Sequence, residues 1–350
     1  MTGAERLVAA CRGEPVDATP VWFMRQAGGS MPRYLELRRT HEVIDIARNP
    51  DLCAEVTAGA ASTLGTDGAI LFADVMLPVQ AMGVALTLTA DGPILDRPIR
   101  SMDDVLRLRP VVVEADLGFV AEAIRLTRAA LGDRAAVIGL AGGPFTIAAY
   151  LIEGGPSRDR LVARRLAHAR PDIWEALLDR ITDVTVDYVS AQARAGAQVV
   201  QVFDSWAGAL SAFDYERLVA PWSRRILRAV RAAHVPVIHF AASGANLIHA
   251  LAVDADVVGI DGAQSLGTAR RRLGPVPVQG NLDPARLAAP WPVLADAVDA
   301  VLDANAGRMG HVFNTGHAVP LDTYPATMAA VVRHVHDRTA GQASAKGVPA

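Results

Sequence analysis

Cysteine is scarce in this sequence. Of its 350 residues only Cys11 and Cys53 are cysteines, and they stand far apart without a CxxC or Cys/His spacing. A disulfide framework and a structural zinc site are therefore not expected, and we predict neither a metal nor a cofactor. Reduced cysteines in such small number fit a cytoplasmic location.

Long apolar runs and an excess of one charge are also missing. No stretch of about eighteen uninterrupted apolar residues occurs, so no membrane span is expected. Residues 1–17 mix charges into their apolar positions, and no signal peptide is expected there. The 34 Lys and Arg nearly balance the 37 Asp and Glu, giving a net charge of −3. This balance argues against a nucleic-acid surface but allows a local basic pocket for an anion.

What the sequence does contain is a regular alternation of short apolar runs and longer amphipathic stretches. Near-continuous apolar character is typical of parallel strands buried on both faces. The predicted strands are Gly68–Phe72, Ala136–Leu140, Gln198–Phe203, Val235–Phe240, Asp256–Ile260, Val276–Gly280 and Gly310–Asn314. The predicted helices include Asp116–Leu131, Pro171–Ala195, Tyr215–Ala233 and Pro292–Ala304.

Repeated βα units without a GxGxxG after the first strand favour a barrel over a dinucleotide-binding sheet. We predict an α/β fold: a single-domain TIM-type (β/α)8 barrel with an N-terminal extension, spanning residues 1–340. An eighth strand is expected in Thr19–Met24 or within residues 84–100. The alternating stretch Val84–Arg100, interrupted by Asp91-Gly92-Pro93, predicts a β-hairpin. The small, polar tail 341–350 is predicted to be disordered.

In such a barrel the chemistry lies at the carboxyl ends of the strands. The sequence just beyond each predicted strand is therefore expected to line one pocket, with Arg25 as an entering cation. These positions are Asp74, Gly142–Phe145 with Tyr150, Asp204-Ser205, Ala241–Gly244, Asp261, Asn281–Pro284 and Gly316-His317.

Several ordered blocks carry a family resemblance. The blocks are Pro20–Gly28 (PVWFMRQAG), Phe72–Val75, Gly142–Gly155 (GGPFTIAAYLIEGG), Gln201–Gly208, Gln279–Pro284 and Asn314–His317. They resemble, in the same order, the signatures of the uroporphyrinogen decarboxylase family. The resemblance covers essentially residues 5–340.

The resemblance implies a carboxy-lyase that converts the four acetate side chains of uroporphyrinogen III to methyls. The product would be coproporphyrinogen III, in haem and porphyrin biosynthesis. The resemblance also implies a homodimer that needs no metal or prosthetic group. The expected partner is a polycarboxylate tetrapyrrole substrate, and neither nucleic acid nor membrane is expected as a partner.

A protonated pyrrole ring can itself serve as the electron sink for decarboxylation. The protein then has to stabilise the cationic ring and hold its carboxylates, and Asp74 and Arg25 are the two residues predicted to be catalytic. An ionised Asp74 can accept pyrrole N–H bonds and stabilise positive charge in the ring. Arg25 can hold a carboxylate bidentately and is a poor proton donor. The alternatives are that Asp74 caps the following helix and that Arg25 is a surface residue.

The resemblance extends the substrate-binding set to residues that could contact or shape a carboxylate pocket. The predicted substrate-binding residues are Arg25, Gln26, Ala27, Gly28, Gly29, Asp74, Tyr150, Ser205 and His317. Unaided by the resemblance, Tyr150 would more often be a core or interface packing residue, Ser205 would be nearly uninformative, and His317 would be interpreted as a rim histidine.

The chain departs from the family pattern at two arginines. Gly29 and Leu35 stand where the family has arginine, and Arg33 could compensate only if its side chain turned inward. Gly29→Arg is therefore expected to lower the Michaelis constant. Two alternatives stay open: a divergent paralogue on the same barrel, decarboxylase or methyltransferase-like, and a non-catalytic tetrapyrrole-binding protein.

Overall fold

The computed structural model describes residues 1–89 and 92–341, so the predicted tail lies outside the described residues from position 342 onward. The strands are β1 (Gly68–Ile70), β2 (Leu86–Thr89), β3 (Gly92–Leu95), β4 (Ala136–Gly142), β5 (Val199–Phe203), β6 (Val237–Phe240), β7 (Val257–Gly259), β8 (Val278–Gln279) and β9 (His311–Val312). Seven of them form one parallel sheet in the order β1-β4-β5-β6-β7-β8-β9. Each of the seven predicted strands is therefore present, although most are shorter than predicted.

The helices alternate with these strands. They are α1 (Gly3–Cys11), α2 (Pro32–Leu37), α3 (Val43–Arg48), α4 (Pro50–Leu64), α5 (Leu77–Ala81), α6 (Met102–Leu106), α7 (Val113–Asp116), α8 (Gly118–Leu131), α9 (Pro144–Glu153), α10 (Leu161–Ala169), α11 (Pro171–Ala195), α12 (Ala212–Leu218), α13 (Ala220–Ala232), α14 (Ile248–Leu251), α15 (Leu266–Leu273), α16 (Trp291–Asn305) and α17 (Pro325–Thr339). Short 3-10 helices cover Ala207–Ala209, Gly244–Leu247 and Pro284–Ala288. None of the helices in the described ranges is long and apolar enough to cross a bilayer.

The extended segment Pro20–Trp22 closes the sheet into a barrel. Val21 forms a parallel bridge with Phe313, and the Phe313 N–H donates to the Pro20 carbonyl at 2.8 Å. On the other side, the Asp67 N–H donates to the Val21 carbonyl at 2.8 Å. This segment lies between β9 and β1, so the eighth element falls in Thr19–Met24, one of the two predicted places. The predicted TIM-type barrel is confirmed.

Residues 84–100 instead form the predicted hairpin. Strands β2 and β3 pair antiparallel, with Leu86 opposite Leu95 and Thr89 opposite Gly92. Asp91 of the predicted turn lies outside the described residues. The hairpin is an excursion from the barrel, since it forms a sheet of its own.

Apolar side chains fill most of the barrel, and a polar row crosses it. Every residue of β4 is buried, as a strand covered on both faces requires. In the row, the Trp22 indole N–H donates to Gln279 Oε1, and Gln279 Nε2 donates to Gln201 Oε1, both at 2.9 Å. Pairing makes such buried polar groups stable, although Gln201 Nε2 has no hydrogen-bond partner among the described residues.

The helix predictions hold except at one break. Helix α11 has the predicted bounds, and α8 and α16 lie within two residues of theirs. The single helix predicted for Tyr215–Ala233 is wrong, because α12 ends at Leu218 and α13 begins at Ala220. Pro221 has no N–H and its ring disfavours helical continuation from the preceding turn, so the chain turns at Val219.

Candidate active site

Arg25 lies in a loop that the rest of the barrel holds in place. Its backbone is left-handed, with φ of 67°, a conformation that non-glycine residues adopt rarely and often at functional sites. The preceding Met24 N–H donates to Asn314 Oδ1 at 3.2 Å, and the Met24 carbonyl accepts from the Val319 N–H at 2.9 Å. The Arg25 side chain is exposed at the open end of the barrel. The loop is thus fixed while the guanidinium stays accessible.

Asp74 stands just beyond β1, at the carboxyl end of the strand. Its Oδ1 accepts from the Met76 N–H at 2.8 Å, in the turn that leads into α5. Its Oδ2 has no hydrogen-bond partner within residues 1–89 and 92–341. Burial raises the pKa of Asp74, and the Met76 N–H and the Arg25 charge act in the opposite direction. One oxygen therefore shapes the turn and the other remains able to accept a bond from a ligand.

Tyr150 and Ser205 come from neighbouring strand ends. Tyr150 is half-buried in α9, with its ring 3.8 Å from the Trp206 ring, centroid to centroid. Burial and the negative charge of Asp74 raise the pKa of Tyr150, while Arg160 and Arg25 lower it. The phenol is therefore a neutral donor at physiological pH. Ser205 is half-buried in the turn after β5, and its hydroxyl makes no hydrogen bond to residues in the described ranges.

His317 follows β9 at the same end of the barrel. Its ring lies 6.4 Å from the Phe240 ring, centroid to centroid. The surrounding protein and the charge of Arg25 lower the pKa of His317, whereas Asp261 acts in the opposite direction. A neutral imidazole at this position can donate or accept a hydrogen bond, depending on its tautomer.

Arg25 is the common neighbour of this group, because its charge acts on Asp74, Tyr150 and His317 alike. The structure thus brings together four of the predicted residues at the carboxyl ends of the strands, where a barrel enzyme has its site. Ser205 lies one residue from Trp206 and so borders the same place.

Other members of the opening motif face the protein. Gln26 is fully buried, where its Oε1 accepts from the Phe23 N–H and its Nε2 donates to the Gly68 carbonyl, at 2.9 and 2.8 Å. Ala27 is buried in an apolar cluster, and Gly28 lies against Phe72. The Gln26 amide is occupied in joining the loop to β1. The substrate contacts predicted for these three residues remain predictions, and the packing supports a positioning role.

Gly29 has a left-handed backbone with φ of 61°. A Cβ atom there would lie 2.9 Å from the Leu321 carbonyl oxygen and 3.2 Å from its Cα. Any larger residue would strain both segments. The expectation that Gly29→Arg lowers the Michaelis constant stays a prediction, and this backbone adds a structural cost to the substitution.

Arg33 does not compensate for the missing arginines. It lies on α2 and is about half exposed, with its guanidinium paired to Glu55 at 2.6 Å and to Glu36 at 2.9 Å. Leu35, the other substituted position, is half exposed on the same helix. The guanidinium of Arg33 is therefore engaged away from Asp74 and Tyr150.

Sequence reasoning placed Asp204 in the pocket but missed Thr146, Trp206 and Arg160 at this end of the barrel. Asp204 is fully buried and its Oδ1 accepts from both the N–H and the hydroxyl of Thr146 at 2.8 Å. The Thr146 hydroxyl oxygen in turn accepts from the Trp206 N–H at 3.0 Å. Arg160 places its guanidinium over the Trp206 ring, 4.1 Å from the centroid. Thr146 and Trp206 lie inside quoted blocks and could have been weighed, whereas nothing in the sequence distinguishes Arg160 from other arginines.

No three His, Cys, Asp or Glu side chains are grouped as metal ligands in residues 1–89 and 92–341. Cys11 is buried in α1, and the Cys53 thiol donates to the Phe72 carbonyl at 3.2 Å. The arrangement offers hydrogen-bond acceptors and donors beside two cationic groups. It can hold a multiply charged anion and stabilise a positive charge that forms next to Asp74.

These features define a class: a TIM-type barrel with an anion-binding site around one carboxylate at the carboxyl ends of its strands. The family model described as "Uroporphyrinogen decarboxylase (URO-D)" matches residues 2–338. The chain belongs to the uroporphyrinogen decarboxylase family.

Close relatives carry the same name. The chain is 45% identical over 336 residues to the uroporphyrinogen decarboxylase of Salinispora tropica, which covers 95% of this chain and 90% of the relative. It is 41% identical over 332 residues to that of Geotalea daltonii, which covers 95% and 98%. A solved methyltransferase from Methanosarcina mazei superposes with a TM-score of 0.77 at 19% identity, covering 97% of this chain and 99% of that one. At that identity the likeness shows the fold alone.

Proposed function

We propose that this chain decarboxylates the four acetate side chains of uroporphyrinogen III to methyls, giving coproporphyrinogen III in haem and porphyrin biosynthesis. One observation carries the proposal. In a chain that matches the family model almost throughout, Asp74 keeps a carboxylate oxygen available beside Arg25. The methyltransferase-like alternative is not favoured, because the relatives at 41–45% identity are named uroporphyrinogen decarboxylase.

The reaction follows from the chemistry of a pyrrole acetate. Protonation of a pyrrole carbon makes the ring cationic, and its N–H groups donate to the Asp74 carboxylate. The bond between the acetate methylene and its carboxylate then breaks, and its electron pair flows into the ring as carbon dioxide leaves. A proton adds to the resulting exocyclic methylene and the ring loses its extra proton, leaving a methyl group. The substrate thus supplies the electron sink, and no cofactor is required.

Asp74 stabilises the cationic ring only while it is ionised, and Arg25 favours that ionised form by lowering the pKa that burial raises. Arg25 also offers a bidentate fork to a substrate carboxylate. Tyr150, Ser205 and His317 are neutral hydrogen-bonding groups that can orient the remaining carboxylates. Their separate roles belong to the proposal.

A homodimer and a cytoplasmic location complete the proposal. Family membership supports the dimer, and the two free cysteines fit a reducing compartment. Sedimentation of the purified chain measures the oligomeric state directly.

Anaerobic incubation with uroporphyrinogen, followed by oxidation and chromatography, tests the activity. We expect the hepta- to tetracarboxylate series without added metal or cofactor. Asp74→Asn should lower kcat by about a hundredfold or more, because an amide cannot supply the negative charge that stabilises the ring. Its far-ultraviolet spectrum and urea midpoint should match those of the unaltered chain.

Asp172→Asn is the matched control, since Asp172 is a half-exposed aspartate paired with Arg170 far along the chain from the site. This variant should keep full activity. Complete absence of the carboxylate series from the unaltered chain would overturn the proposed function and favour a non-catalytic tetrapyrrole-binding protein.

A further inference from the structure

We propose that Arg160 binds a substrate carboxylate and helps to set specificity, on the side of the site formed by Tyr150 and Trp206. The inference rests on the proposed function. It answers a question left by Gly29 and Leu35, which lack the charge that family members carry at those positions.

Three side chains form what we call the Arg160 stack: Arg160, Trp206 and Tyr150. The Arg160 guanidinium carbon lies 4.1 Å from the Trp206 ring centroid, and the Trp206 and Tyr150 centroids are 3.8 Å apart. The charges of Asp74 and Arg25 also shift the pKa of Tyr150, in opposite directions. Arg160 therefore joins the proposed catalytic pair through Trp206 and Tyr150.

Among the described residues, the Arg160 cation forms no salt bridge, although Glu153 and Asp159 are near enough to influence its charge. Its guanidinium donates from Nη1 to the Arg158 carbonyl. Its Nε is buried and has no acceptor within residues 1–89 and 92–341. By contrast, Arg33 is neutralised by two glutamates.

The backbone of Arg160 is also held in an uncommon conformation. Its φ is 53°, in the left-handed region, and its N–H donates to Ser157 Oγ at 3.1 Å. Non-glycine residues held there cluster at ligand-binding and active sites. From this position, just before α10, the side chain lies across Trp206.

A stacked guanidinium is well suited to a carboxylate. The flat face of arginine packs on an indole while N–H groups at its edge can still donate to a carboxylate. Stacking also fixes the side chain before the ligand arrives, so less rotational freedom is lost on binding. The ligand class is an aliphatic carboxylate on a large ring, which can reach Arg160 while its reacting pyrrole lies at Asp74.

The test compares three variants in anaerobic steady-state kinetics with uroporphyrinogen at several salt concentrations. Arg160→Gln should raise KM by about ten-fold or more and change kcat little, because a charge-assisted carboxylate contact is lost. Arg160→Lys should restore part of the affinity, since it keeps the charge but not the fork. Arg165→Gln is the matched control, an exposed arginine on α10, the helix that Arg160 precedes, and the KM of this variant should be unchanged.

Quenching of tryptophan fluorescence by oxidised uroporphyrin supplies a second readout that does not need turnover. Quenching that is weaker in Arg160→Gln but not in Arg165→Gln supports the inference, even if the unaltered chain proves inactive. An inactive chain would overturn only the proposed function. An active chain whose KM is the same in Arg160→Gln overturns the inference alone. The inference is also overturned if KM rises equally in Arg165→Gln. It is overturned as well if Arg160→Gln lowers the urea midpoint and leaves KM unchanged.

Discussion

Two aspartates at the ends of barrel strands, Asp74 and Asp204, have opposite surroundings. Asp74 is near the Arg25 cation and has an oxygen available for a ligand. Asp204 is fully buried, receives two bonds from Thr146, and has an Oδ2 without a partner in the described ranges. Asp74 is therefore proposed to serve the chemistry, whereas Asp204 holds the Ser205-Trp206 turn through Thr146.

The pH dependence of stability should identify Asp204. Burial raises the pKa of Asp204 from 3.8 to about 6, so the folded protein holds this proton more tightly than the unfolded chain. The stabilisation that protonated Asp204 contributes to the folded protein is fully present below pH 3.8 and is lost as the pH rises through about 6. A difference of about two units corresponds to roughly 3 kcal/mol. Asp204→Asn, which cannot ionise, should lack this loss.

Urea unfolding at pH 4 and at pH 7.5 measures this difference. Between these pH values the unaltered chain should lose about 3 kcal/mol of unfolding free energy that the Asp204→Asn variant does not lose. Asp172→Asn is again the control, since Asp172 is exposed. Parallel stability curves for the Asp204→Asn variant and the unaltered chain would contradict the assignment.

At the scale of the element, the opening loop is shaped by its contact with the segment around Leu321. Gly29 combines a left-handed backbone with a Cβ position 2.9 Å from the Leu321 carbonyl oxygen. The loss of a family arginine here is therefore linked to a close approach of two loops. We propose that the Arg160 stack supplies part of the carboxylate binding at this end of the barrel.

Gly29→Ala should destabilise the protein more than Gly65→Ala does. Gly65, at the end of α4, has a similar φ of 71° but no atom within 4 Å of its Cβ position. Its substitution adds only backbone strain of about 1–2 kcal/mol. Gly29→Ala adds overpacking worth about 1–3 kcal/mol more. Urea midpoints of the two variants give the comparison. Equal losses of stability would show that the Leu321 segment moves aside without destabilising the protein.

At the scale of the whole molecule, one buried carboxylate joins both ends of the chain to the barrel. Asp67 accepts from Arg6 Nη1 at 2.6 Å, from the Val21 N–H at 2.7 Å, and its contact with His336 Nε2 is 2.8 Å. These partners come from α1, the closing segment and α17. Barrel closure therefore depends on this carboxylate as well as on the backbone bonds of Pro20–Trp22.

Asp67→Ala should lower the free energy of unfolding by about 3–5 kcal/mol, because it leaves Arg6 and the Val21 N–H without their buried acceptor. Asp17→Ala is the matched control. Asp17 binds the same arginine at 2.6 Å but is far more exposed, so its loss should cost at most about 1 kcal/mol. Chemical denaturation of both variants decides the point, and equal costs would mean that Asp67 does not join the chain ends.

The sequence by itself determined the class of fold and the core of the candidate site. Alternating apolar runs predicted each strand of the barrel sheet, and the position after each run predicted Asp74, Tyr150, Ser205 and His317 at one end. This works because strand burial and the placement of loops depend on local patterns. The closing strand was only one of two possibilities, because Pro20–Trp22 pairs through a single bridge and is too short for a clear pattern.

Only the tertiary structure decided where the charges lie. Arg33 and Arg160 are the same residue type, and the sequence does not distinguish them. In the structure, Arg33 pairs with glutamates on the surface, whereas Arg160 stacks on Trp206 beside Tyr150. The packing of Gly29 against Leu321 is likewise invisible along the chain. Side-chain direction and contacts between distant segments depend on how helices and strands pack in three dimensions, and a linear pattern does not encode that packing. The sequence predicted a carboxylate site, and the structure shows which arginine is paired at the surface and which lies on Trp206.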